Sequence, residues 1–167
     1  MADLITHISS ALLLKAAFGR RHTASFTLGN VLPDLLGRVP GMALVKLASM
    51  GLPVPEGLTY APGVLHMPFG MLPLSVLLAL AFPERQRLAV AANLFGGCML
   101  HLGIDLLQHH TGTGYPLLFP FSSWHWELAW IGTEATVLVA PVLAPLSVLA
   151  FWARGRWDAR RAPATLP

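Results

Sequence analysis

Charge is scarce in this chain. Of 167 residues, Lys and Arg number 11 and Asp and Glu 8, so charged residues make up 11%, against about 25% in an average soluble protein. That shortage excludes an ordinary solvated surface on all sides. Cysteine is nearly missing. The one present, Cys98, can form no internal disulfide and excludes a cysteine-rich zinc site; it reads as inert packing in an apolar helix. A basic leader is lacking too. The first charge is Asp3, and Lys15, Arg20 and Arg21 follow the first apolar stretch, so a cleaved signal peptide is not expected. There is no internal repeat and no low-complexity segment. What is abundant is apolar: 54% of residues are hydrophobic and the mean hydropathy is +0.60, which reads as an integral membrane protein. The net charge of +3 does not point to nucleic acid. Most of the basic residues sit in short clusters beside apolar runs, with no stripe of interleaved aromatics.

Helical spacing organises what remains. Residues 3–18 predict a helix with His7, Ala11, Leu14 and Phe18 on one stripe, ended by Gly19-Arg20-Arg21-His22. Thr23 or Ser25 opens a second helix to about Leu32, where Pro33 is expected to end or kink it. Gly37, Pro40 and Gly41 suggest a turn, residues 42–50 a short helix with Lys46 exposed, and residues 51–62 a loop. Residues 64–82 form an apolar run long enough to span a bilayer, with kinks expected at Pro68 and Pro73. Residues 83–87 read as a basic turn. Residues 88–107 and 135–153 are two further spans, the first with Gly96-Gly97 for close helix approach. Between them, residues 117–130 carry Phe119, Phe121, Trp124, Trp126 and Trp130, the pattern of an interfacial belt, with His125 and Tyr115 read as part of it.

The costly residues gather. His101 and Asp105, four apart in an apolar helix, stack on one face. A carboxylate at a bilayer centre costs about 2.5–3.5 kcal/mol on insertion scales. Such a pair suits a divalent metal, although a hydrogen bond that tightens a helix bundle is the plainer alternative. Three Arg clusters, at residues 20–21, 85–87 and 154–161, fall on one side if each segment crosses once, and short basic loops stay cytoplasmic. On the same alternation His7, Asp34, His66, His101, Asp105 and Glu134 all fall at the opposite end. Imidazoles and carboxylates accept zinc, and also manganese or iron. A metal with an open position lowers the pKa of its bound water toward about 7. Asp34 or Asp105 could bridge metals or take the proton of the attacking water, and Glu134 could be a further ligand or the general base. His22, His109 and His110 read as surface residues.

Thr6-His7, Gly29-Asn30-Val31-Leu32-Pro33-Asp34, His66, His101-Leu-Gly-Ile-Asp105 and Thr111 … Gly114 … Leu118-Phe119-Pro120-Phe121-Ser122, in that order over roughly residues 4–150, resemble the YdjM-like family. These are small bacterial and archaeal inner-membrane proteins described as metal-dependent hydrolases. The resemblance implies a helical, metal-dependent membrane hydrolase with His7, Asp34, His66, His101 and Asp105 at the polar motif positions, and a lipid-like or phosphoester substrate. This chain departs from the pattern at Leu35 and Leu36, where a second acid is usual. It also lacks the Arg often found near the third motif, which leaves no obvious anion clamp there, and it has Glu134 where an Asp is common.

The expected fold is therefore an all-α integral membrane bundle of about five helical segments, at least three of them full spans. Residues 1–153 would form a single embedded domain and residues 154–167 a basic, flexible cytoplasmic tail. The expected activity is metal-dependent hydrolysis of a membrane lipid or lipid-linked ester at the outer end of an inner-membrane protein. A non-catalytic scaffold or metal-binding partner protein is the alternative. A transporter ranks last, because the polar residues lie near one end and no inverted repeat is visible.

Overall fold

The computed structural model describes residues 3–109, 114–132 and 135–161. Among these it is helical: α1 (Leu4–Phe18), α2 (Thr23–Pro33), a π-helical turn (Asp34–Arg38), α3 (Val39–Ser49), α4 (Glu56–Val64), α5 (Pro68–Ala79), α6 (Glu84–Leu107) and α7 (Ala135–Arg161). No strand forms among the described residues; Gln108–Ile131 and Tyr115–Trp126 make isolated bridges.

Local chemistry sets the boundaries. Asp3 caps α1 by accepting the amide of Thr6 at 2.9 Å, and Gly19, at φ 123°, closes the helix. Pro33 does not end the second helix. Residues 23–49 are helical without a break, and Pro33 is followed by one π turn in which the Val39 amide donates to the Asp34 carbonyl. Pro40 follows the π turn directly at the start of α3, and the turn expected at 37–41 is not formed. Residues 56–62, expected as loop, lie in α4.

The apolar run at 64–82 is not one span. A turn through Leu65–Met67 interrupts it, and Pro68 starts a new helix instead of kinking an old one. The resulting α5 is 12 residues, about 18 Å at 1.5 Å per residue, against a hydrocarbon core of about 30 Å. Among the described residues two helices, α6 and α7, are long and apolar enough to cross a membrane. Glu84–Arg87, expected as a turn, is the first turn of α6, and α7 continues through Arg161 where a basic tail was expected.

Helix α6 is the hub. Gly29 of α2 and Gly97 of α6 bring two backbones together: a Cβ on Gly29 would stand 2.0 Å from the Leu94 carbonyl oxygen, and one on Gly97 2.1 Å from that of Phe26. Met67, Met71, Cys98, Leu102 and Tyr115 form one apolar cluster, and Leu32, Ala79, Val90 and Leu94 another. Helix α7 runs parallel to α1. Asp3 meets Thr136 at one end, and Arg154 donates to the Ala16 and Ala17 carbonyls at the other. Along α1 the buried positions are Thr6, His7, Ser9 and Ala11, while Phe18, expected on the same stripe, is 84% exposed.

Candidate metal centre

The α2–α6 seam decides where the polar residues meet. Asn30 and Asp34 stand one turn apart at the end of α2, facing His101 and Asp105, one turn apart at the end of α6. Helix α1 adds His7 from its first turns. The turn between α4 and α5 adds His66, whose ring rests on the π turn: a Cβ on Gly37 would come within 2.5 Å of its Nδ1. Five residues expected together are together. His7, His101 and Asp105 offer ligand atoms within 4.8 Å of one another, and so do Asp34, His66 and His101. Glu134, expected as a sixth member, lies outside the described residues, as do His110 and Thr111.

Three of the four imidazole–carboxylate distances are ones that two ligands of a shared ion would have. His7 Nε2 is 3.4 Å from Asp105 Oδ1, and His101 Nε2 is 3.4 Å from Asp105 Oδ2. His66 Nε2 is 3.5 Å and His101 Nε2 3.9 Å from Asp34 Oδ1. Donors about 2.0–2.2 Å from one tetrahedral ion stand roughly 3.3–3.6 Å from each other. The His7 and His101 rings stack with centroids 3.9 Å apart.

Burial makes the arrangement expensive without a cation. His7, His101 and Asp105 are fully buried. Both ring nitrogens of His7, Nε2 of His66 and of His101, and Oδ1 of Asp34 have no hydrogen-bond partner. Each buried polar atom left in that state costs about 1–3 kcal/mol. The donor set therefore fits a divalent metal on chemical grounds: lone pairs of imidazole and carboxylate in dry surroundings.

A second ring of contacts orients these side chains. The Nδ1 of His101 donates to the Asn30 carbonyl at 2.8 Å, which leaves Nε2 free to face the carboxylates. The Asn30 side chain donates to the His7 carbonyl. The Tyr115 hydroxyl donates to Asp105 Oδ2 at 2.9 Å. Burial, then the adjacent Asp105 carboxylate, push the Tyr115 phenol far above its ordinary pKa, so it stays a donor. Sequence reasoning gave Asn30 no role and placed Tyr115 in the aromatic belt; instead Tyr115 is 7% exposed and packs into the cluster around Met71 and Leu102. The Asn30–Asp34 spacing, which repeats that of His101–Asp105, is the signal that could have flagged Asn30. His109 is 61% exposed against Glu127 and stands apart from the centre, as expected of a loop residue. Phe121, Trp124 and Trp130 are exposed, as a belt requires.

No family model, curated protein or solved structure matches this chain. What the fold and the site define is an all-helical protein with two candidate membrane spans and a buried His/Asp cluster able to hold a metal ion.

Proposed function

We propose that this protein is a multi-pass inner-membrane hydrolase dependent on a divalent metal, zinc in first place and manganese or iron after it, acting on a lipid-like or lipid-linked ester or phosphoester. This is the activity implied by the resemblance to the YdjM-like family. The observation that carries it is the convergence of the buried imidazoles of His7, His66 and His101 on the carboxylates of Asp34 and Asp105, with Nε2 of each ring making no hydrogen bond, inside an apolar bundle.

A membrane setting is supported by α7. Only 17% of its most apolar window is buried, and Leu138, Val142 and Leu149 are more than half exposed. A bilayer around α6 and α7 would also surround α1, α2 and α5, which pack with them. Arg20 lies against Phe151, and Arg154 against the end of α1, so these basic residues share the end away from the cluster. By the positive-inside tendency that end, with the C-terminus, is cytoplasmic.

One ion, not two, suits the centre. His101 serves both possible ligand groups, yet its Nδ1 is committed to Asn30 and only Nε2 remains. A bound divalent metal would supply hydroxide from water near neutral pH. The two carboxylates would then divide the work. Asp105 is fully buried and tied by Tyr115, which suits a fixed ligand. Asp34 has an 11% exposed side chain and borders a cleft with Arg38, which suits proton transfer with the exterior. Glu134 remains a candidate further ligand or base.

The alternative is a scaffold in which protonated histidines pair with the carboxylates and brace the helices. Metal analysis of the purified full-length protein separates the two. The expected result is about one ion per chain, lost in His101→Ala, with ester or phosphoester hydrolysis lost in parallel. Wild type without stoichiometric metal, or His101→Ala with as much as wild type, overturns the proposal.

A further inference from the structure

A cleft of about 630 Å³ opens beside the cluster, between α3 and the end of α4. That is the size of a small-molecule site. His66, Met67 and Tyr115 line it, so it reaches the residues that hold and orient the centre. Along α3 and the π turn, Arg38, Met42, Val45 and Lys46 face it, at helical spacing on one side. The side chains of Arg38 and Lys46 have no hydrogen bond or ion pair among the described residues. Arg38 is half-buried by the π turn, in partly desolvated surroundings where an unpaired cation is costly. Helix α3 has no buried residue at all, and Met42 and Val45 are 63% and 60% exposed.

We propose that this cleft is the substrate subsite, and that it takes a membrane phospholipid, with the headgroup phosphate held by Arg38 and Lys46 and an acyl chain laid along Met42, Val45 and Met67. The proposal rests on the hydrolase reading and names its substrate class. Two cations beside an apolar wall match an anionic head on an apolar tail; a free phosphate would leave the wall uncovered. Arg38 supplies the anion clamp that the sequence around His66 lacks. The π turn has a use here. The same five residues begin with Asp34 in the centre and end with Arg38 on the cleft, so one irregular turn sets the spacing between cluster and clamp.

Native mass spectrometry of the full-length protein in a nonionic detergent tests this. The probe is phosphatidylglycerol, with phosphatidylcholine and inorganic phosphate as the other arms, in metal-loaded and in metal-stripped protein. Wild type should retain phosphatidylglycerol, and Arg38→Gln/Lys46→Gln should retain about ten-fold less. Arg156→Gln, at the opposite end, should behave as wild type. Melting temperature of each variant checks that the fold is kept, which is expected because both replaced side chains reach solvent. Equal retention by the double variant overturns the subsite, as does an equal loss in Arg156→Gln. Displacement of the lipid by millimolar inorganic phosphate would show that the ligand is the free ion, and overturns it too. Lipid retained in protein that binds no metal would sink the hydrolase reading and leave the subsite standing. Stoichiometric metal without selective retention would do the reverse.

Discussion

The Nδ1 atom of His101 and the main-chain oxygen of Asn30 lie 2.8 Å apart, and because a carbonyl only accepts, the ring's proton is on that nitrogen. The bond fixes which face of the imidazole looks at Asp34 and Asp105. It also ties the end of α2 to α6 at the level of the centre. The Asn30 side chain completes the tie by donating to the His7 carbonyl, so one residue orients two of the three histidines. Asn30→Leu keeps the branched outline of the side chain, though not its volume, and removes the donor. The expected outcome is a fall in metal affinity of about ten- to a hundred-fold in competition with a chelator, with helical circular dichroism retained. Unchanged affinity would mean that His7 needs no such support.

Tyr115 makes a narrower test. Its hydroxyl holds Asp105 while its ring packs in the cluster with Met71 and Leu102. Tyr115→Phe preserves the ring and deletes one bond to a charged group, worth about 1.5–3 kcal/mol. Metal affinity is expected to drop by about ten-fold or more, with a small change in melting temperature. Equal losses in Tyr115→Phe and Tyr115→Leu would assign the residue to packing alone.

The glycine seam is structural and should behave differently. Alanine at Gly29 would put a Cβ 2.0 Å from a backbone oxygen of α6, which no rotamer can relieve. The helices must part, and the two halves of the centre with them. Gly29→Ala and Gly97→Ala are expected to lose thermal stability and metal together. Gly103→Ala, on the same helix with nothing within 4 Å of its Cβ, is the control; it should gain up to about 1 kcal/mol from helix propensity. A seam variant as stable as wild type would show that the backbones are not so close.

At the start of α1, a cap offers a pH test away from the centre. Burial alone would raise the pKa of Asp3, but hydrogen bonds from the hydroxyl and amide of Thr6 and from Thr136 outweigh it and hold the carboxyl below its usual range. A depressed folded pKa contributes stability above the unfolded value of about 3.9 and loses it as pH falls. Asp3→Ala should therefore cost about 1 kcal/mol at pH 7. The gap from wild type should close in strong acid, read as the difference in melting temperature between the two proteins. A gap that widens in acid would reverse the assignment.

Residue spacing made the polar half of this protein legible. His101 with Asp105 showed through an i,i+4 repeat in an apolar helix, and His7, Asp34 and His66 through their places at alternate segment ends. Those signals depend on the charge a residue carries, which an apolar setting makes conspicuous. Segment boundaries were less readable, because proline signals are ambiguous. Pro33 reads as a stop or a kink, and the helix runs on through it into a π turn. Pro68 reads as a kink inside a span, yet it opens a new helix. Asn30 and Tyr115 escaped for another reason: each acts on the centre through a neighbour, and nothing in its own position along the chain declares that neighbour.

Metal removal gives the sharpest test of the centre, because the sign of one substitution should invert. With an ion bound, the Asp34 carboxylate would face its positive charge, and Asp34→Asn should weaken binding and lower the melting temperature; ligand linkage is worth about 2.7 kcal/mol at a hundred-fold excess over the dissociation constant. Stripped of metal, and with the imidazoles neutral, the same carboxylate stands 3.5 Å from His66 Nε2 and 3.9 Å from His101 Nε2 and shares the cluster with Asp105. Buried charge without a counter-charge is destabilising, and an amide in its place can donate to an imidazole nitrogen. Asp34→Asn should then be as stable as wild type or more so in the presence of a chelator, and less stable in the presence of the metal. Thermal melts of both proteins under both conditions read the crossing. Parallel shifts in the two conditions would mean that Asp34 contributes the same contacts with or without a cation, as in a bundle braced by protonated histidines.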